Sequence, residues 1–169
     1  MKAWQWAGLA IALAVLVSLP WWGSDVMVQF GINALLLAVL AQGWNIIGGY
    51  TGYASFGNSV FYGLGSYGVA IAMVQWHLPF AVGLVFGVAL AVAFALLLGV
   101  PVLRLRGHYF AIATLALAGV MAAIVSNVPL AGQNIGLVLP PLNDDRLFYG
   151  LALGLLVIAT AVVWWLTRS

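Results

Sequence analysis

Gly48–Gly68, reading GGYTGYASFGNSVFYGLGSYG, limits the possible folds of this chain more than any other stretch. Seven of its residues are glycine, aromatic rings fall between them, and Thr51, Ser55, Asn58, Ser59 and Ser66 add hydroxyl and amide groups. So many glycines do not suit an ordinary lipid-facing helix, and the apolar runs on both sides crowd out a solvated linker. Irregular backbone at membrane depth is tolerated only where protein buries it or a wet cavity meets it. The stretch is therefore expected to be shielded from lipid, either as a tight helix contact or as the edge of a pathway.

Membrane depth is the right frame because the chain is 66% hydrophobic and 5% charged, too few polar groups to cover a soluble domain. Apolar runs of about 20 residues, the length that crosses a bilayer, are expected at Trp4–Leu19 (closed by Pro20), Val26–Ile47, Phe80–Val100, His108–Val128 and Leu147–Leu166. A further irregular span begins inside the glycine-rich stretch and runs to about Gln75. The predicted fold is all-α, a polytopic transmembrane helical bundle of about six spans with a broken third. Lys2 ahead of an apolar run resembles a secretory signal, but Leu19-Pro20-Trp21-Trp22 offers no small-x-small cleavage site, so a retained first span is expected.

Charge sets the expected orientation. With the N-terminus cytoplasmic, Lys2, Arg104, Arg106 and Arg168 fall inside, while Asp25, Asp144, Asp145 and the exception Arg146 fall outside. Tryptophan agrees: Trp4, Trp6, Trp44, Trp164 and Trp165 lie at inner span ends, Trp21, Trp22 and Trp76 at outer ones. The inner turn Pro101–Gly107 carries Arg104 and Arg106, expected to set topology and touch anionic headgroups, or else to meet a cytoplasmic partner. The outer loop Pro129–Arg146 is expected to be a solvated connector, with a soluble partner as the sharper alternative.

Small residues mark where helices approach. Gly83, Gly87, Ala91, Ala95 and Gly99 recur every fourth position in the fourth span, Thr114, Ala118, Ala122 and Ser126 in the fifth, and Gly57 and Gly63 lie in the third.

Several chemistries are excluded. The chain has no cysteine, hence no disulfide, thiolate metal site or cysteine nucleophile. His77, His108 and three aspartates supply no transition-metal cluster. Serines lack a histidine-plus-acid arrangement, and the glycines lack the Lys-Ser/Thr of a P-loop, so no catalytic residue or metal ligand is assigned. Span interiors carry no ionisable residue, which speaks against ion-coupled transport. What remains is uncharged lining. On a helix starting near Ser55, Ser55, Ser59, Tyr62 and Ser66 share a face with Asn58 beside them, and Gln42 and Asn45 share another. With Thr51 these form the candidate substrate pathway, on the reasoning that broken helices expose backbone groups to a polar solute. The alternative is that they only bond neighbouring helices.

Two longer motifs carry a family likeness. Residues Gly52–Tyr67 (GYASFGNSVFYGLGSY) resemble a signature of the branched-chain amino acid ABC importer permeases, and Arg104–Leu115 (RLRGHYFAIATL) resembles the next, of the LivM-type subunit. Leu130–Leu137 is similar to a third, outer-loop motif. Asn58 stands where the family often has histidine, Ala118-Gly119 where it has Gly-Glu, and Ala131-Gly132-Gln133 where it reads Thr-Gly-Gly. The resemblance implies a single transmembrane permease domain over residues 1–169. It further implies an N-terminal portion that stops before the loop gripping the ATPase. It implies a second permease subunit, two cytoplasmic ATPase subunits, and a periplasmic substrate-binding protein delivering a branched-chain or other hydrophobic amino acid. No cofactor is expected on this chain, ATP being held by the partner subunits in a bacterial inner membrane. A passive channel and a non-transporting membrane scaffold are the rival readings.

Overall fold

The structure, a computed structural model, describes residues 14–140 and 144–168. Among these it is all-α, as the sequence predicts. Residues 14–22 are helical (α1), followed by α2 (Asp25–Trp44), α3 (Asn58–Val74), α4 (Phe80–Val102), α5 (His108–Asn127) and α6 (Asp145–Arg168). Among the described residues, four elements are long and apolar enough to cross a membrane: Asp25–Tyr50, Phe80–Val102, His108–Asn127 and Asp145–Arg168. α3 has 17 residues, shortened at its start by the glycine-rich break. The expected first span lies largely outside the described residues. The chain divides into two compact units, one carrying α1, α2 and α6, the other beginning at Trp44 and carrying α3, α4 and α5.

In the first unit, α6 opens on an aspartate cap. The Asp144 carboxylate accepts the Leu147 N–H at 3.1 Å, and Asp145 follows in the first turn, where the helix dipole favours an anion. At the other end Arg168 lies 3.9 Å over the Trp164 ring. The core is Val28, Leu35, Tyr149 and Ala152. Tyr149 is the most enclosed large side chain, at 1% exposure, and its ring lies against Gly31, where a Cβ would come within 2.7 Å of it.

Pro20 does not close α1. The helix continues to residue 22, with the Gly23 N–H donating to Leu19 at 2.8 Å. A proline inside a helix has no N–H for the carbonyl four residues back, here that of Leu16. Tyr149 supplies the missing donor: its hydroxyl reaches the Leu16 carbonyl at 2.8 Å.

In the second unit, α3 and α4 form a hairpin whose backbones nearly touch. A Cβ on Gly68 would sit 2.7 Å from the Gly87 Cα, and one on Gly87 would sit 2.5 Å from the Gly65 carbonyl oxygen. With little hydrophobic drive between helices in lipid, such close packing of small residues is what holds them together. Trp76 packs edge-on against Phe86, centroids 5.0 Å apart, near the hairpin's turn. The α4–α5 turn depends on Gly107, at φ 58° and ψ −131°, a conformation that side-chain-bearing residues rarely adopt.

Candidate functional site

The glycine-rich stretch folds as a π-helical turn, a break and a helix start. α2 runs on into a π-helix at Asn45–Tyr50, and such widened turns recur at functional sites. Two glycines make room for it. The Trp44 ring folds back along Gly48, where a Cβ would meet it at 2.9 Å, and the Asn45 side chain covers Gly49. Thr51 donates to the Ile47 carbonyl at 2.6 Å, Gly52 turns the chain at φ 72°, and helix resumes only at Asn58. This is later than the start near Ser55 expected from the sequence.

Side chains take over the hydrogen bonding of the broken backbone. The Trp44 indole N–H donates to the Ser55 carbonyl at 3.0 Å. The Phe56 N–H donates to the Thr114 hydroxyl of α5 at 3.1 Å, and the Gly57 N–H to the Ser55 hydroxyl at 3.3 Å. Thr114 in turn donates to the Ala111 carbonyl at 3.0 Å. Ser55 and Thr114 are each 4% exposed, the buried polar side chains of the described core. Tyr53 adds a tilted ring contact to Phe110, centroids 5.4 Å apart. Three backbone groups of the break, each of which would cost several kcal/mol unpaired in lipid, are in this way satisfied by Trp44, Ser55 and Thr114. Beside it lies an apolar cavity of about 220 Å³ walled by the last turns of α4 and the first half of α5, including Leu98, Gly99, Val102, Phe110 and Leu117.

The residues expected to line a pathway are distributed rather than gathered. Ser55 is enclosed in the break, whereas Thr51, Ser59 and Tyr62 are exposed and Asn58 is half-buried. Ser59 donates to the Phe56 carbonyl and lines a groove of about 370 Å³ between α3 and α5, shared with Gly63, Tyr67 and Ser126. Tyr62 and Ser66 lie instead on a groove of about 500 Å³ along α3 and α4, with Ala91 and Ala95. Asn45 lies in the π turn, and Gln42 belongs to the other unit. Among the small residues, Gly83 and Gly87 face α3 and Gly57 meets Thr114, while Gly63 and Gly99 have open space where a Cβ would be. Arg104 and Arg106 are exposed on the α4–α5 turn.

The site list drawn from sequence lacks Trp44 and Thr114. Trp44 reads as an interfacial anchor and Thr114 as a small packing residue. The available signal was that Thr114 is one of only two aliphatic hydroxyls in α5, with Ser126.

These features define a multi-pass α-helical membrane protein whose third helix rises from a braced break. Residues 26–169 match the family described as branched-chain amino acid transport system / permease component, and the chain belongs to that family. It is 34% identical over 118 residues to the high-affinity branched-chain amino acid transport system permease protein LivM of Escherichia coli K12. It is 31% identical over 119 residues to the protein of the same description from Salmonella typhimurium. These alignments cover 69% and 70% of this chain and 28% of each relative. The likeness read from residues 52–67 and 104–115 is borne out. No solved structure is a significant match.

Proposed function

We propose that this chain belongs to the membrane-spanning permease of an ATP-driven importer, moving branched-chain or other hydrophobic amino acids inward across a bacterial inner membrane. The family match over residues 26–169 carries the reading. The braced break supports it, because discontinuous helices are where transporters place substrate contacts. On this reading ATP is bound and hydrolysed by two cytoplasmic partner subunits. A second permease completes the pore, a periplasmic protein delivers the solute, and the chain itself holds no cofactor. The cytoplasmic N-terminus follows from Lys2, Arg104, Arg106 and Arg168 falling on one side. ATP binding would rock the permeases between outward- and inward-open states.

Thr51, Ser59, Asn58 and Tyr62 are the candidate solute contacts, with Asn45 nearer the inner end. The test is uptake of labelled leucine into proteoliposomes holding the full-length product with its ATPases and second permease. Uptake that requires both ATP and the binding protein is the expected result. Uptake needing neither would replace the importer with a passive channel. Purification of the full-length chain without any ATPase or second permease would overturn the proposal.

A further inference from the structure

The unit from Trp44 onward carries two arginines and no other formally charged side chain, and both lie on one turn, in Leu103-Arg104-Leu105-Arg106. No aspartate or glutamate exists within that unit to neutralise them. Both arginines are exposed, and so are the leucines that alternate with them, Leu103 at 72%. Tyr109, just inside α5, is 76% exposed. A guanidinium fork above exposed aliphatic and aromatic groups suits the level where phosphate headgroups meet acyl chains.

The second observation is the cavity beside the break. Its wall includes Val102 and Leu103, immediately before Arg104, and Phe110, just after the turn. The hydroxyls of Ser55 and Thr114 at its edge already receive the Gly57 and Phe56 N–H groups. The cavity therefore has apolar surface to offer and little polar anchoring, which fits an alkyl chain better than a charged solute.

We propose that the α4–α5 turn and this cavity together form a binding site for an anionic phospholipid, its phosphate on Arg104 and Arg106 and part of one acyl chain beside Gly99. Basic groups above a gap between transmembrane helices are the arrangement that holds anionic headgroups. The site is independent of the transport reading, because it requires only that the chain lies in a membrane.

Native mass spectrometry of the full-length protein, released from nanodiscs of mixed phosphatidylglycerol and phosphatidylcholine, tests it. Phosphatidylglycerol should be retained about tenfold over phosphatidylcholine. Arg104→Gln with Arg106→Gln should abolish that preference, and the paired lysine substitutions should keep part of it. Gly99→Leu fills the cavity from a position with no neighbour within 4 Å of its Cβ, and should lower phosphatidylglycerol retention with the arginines intact. If the glutamine variant does not fold, the lysine and Gly99→Leu variants carry the comparison. Equal retention of the two lipids, unchanged retention in Gly99→Leu, or displacement of the lipid by millimolar inorganic phosphate would each overturn the site.

Discussion

The Tyr149 hydroxyl donates, at 2.8 Å, to the Leu16 carbonyl that Pro20 leaves without its helical partner. A defect in α1 is thereby closed by α6, from a residue 133 positions away. Tyr149→Phe should lower stability by about 1 kcal/mol. Adding Pro20→Ala restores the local donor, so the double variant should recover much of that loss. Denaturant unfolding in detergent micelles checks both, and strictly additive effects would show that the two residues do not share the carbonyl.

Thr114→Val keeps the shape of the side chain but removes the acceptor for Phe56. Leaving that partly buried amide unpaired should cost about 1–3 kcal/mol, whereas Thr114→Ser should stay close to the parent. Thermal unfolding followed by circular dichroism separates the two. A serine variant as unstable as the valine variant would assign the effect to packing instead.

Gly87→Ala places a Cβ 2.5 Å from the Gly65 carbonyl oxygen, and Gly68→Ala places one 2.7 Å from the Gly87 Cα. Both neighbours are backbone and cannot swing aside, so a loss of about 1–3 kcal/mol is expected. Gly63→Ala has no neighbour within 4 Å and should be neutral or up to about 1 kcal/mol stabilising through helix propensity. The contrast between these alanines, read as unfolding temperatures, tests the hairpin crossing.

Gly107→Ala should destabilise by about 1–3 kcal/mol, because φ 58° with ψ −131° strains any residue bearing a Cβ. Hydrogen exchange should locate the loosening at the α4–α5 turn. Protection unchanged at residues 103–110 would contradict the assignment.

The long elements were legible from composition alone, since apolar runs over Phe80–Val100 and His108–Val128 leave a chain in lipid no alternative to helix. The observed α4 and α5 differ from them by a residue or two at their ends. Pro20 misled because a local rule ends helices there, while the donor that rescues the helix comes from α6. The break was legible as glycine density, but its exact start was not: Phe56 depends on Thr114, 58 residues on. The face shared by Ser55, Ser59, Tyr62 and Ser66 presumes an unbroken helix, and helix begins only at Asn58.

Synthesis is directional, and Phe56 leaves the ribosome 58 residues ahead of Thr114. At roughly 5–20 residues per second its amide waits roughly 3–12 s for that hydroxyl. Until α5 arrives, the segment has to stay with water or inside the insertion machinery, because lipid offers its N–H nothing. The glycine crossing of α3 on α4 needs no residue beyond α4 and is available earlier. Assembly of this unit is therefore ordered, with the hairpin first and the break sealed last.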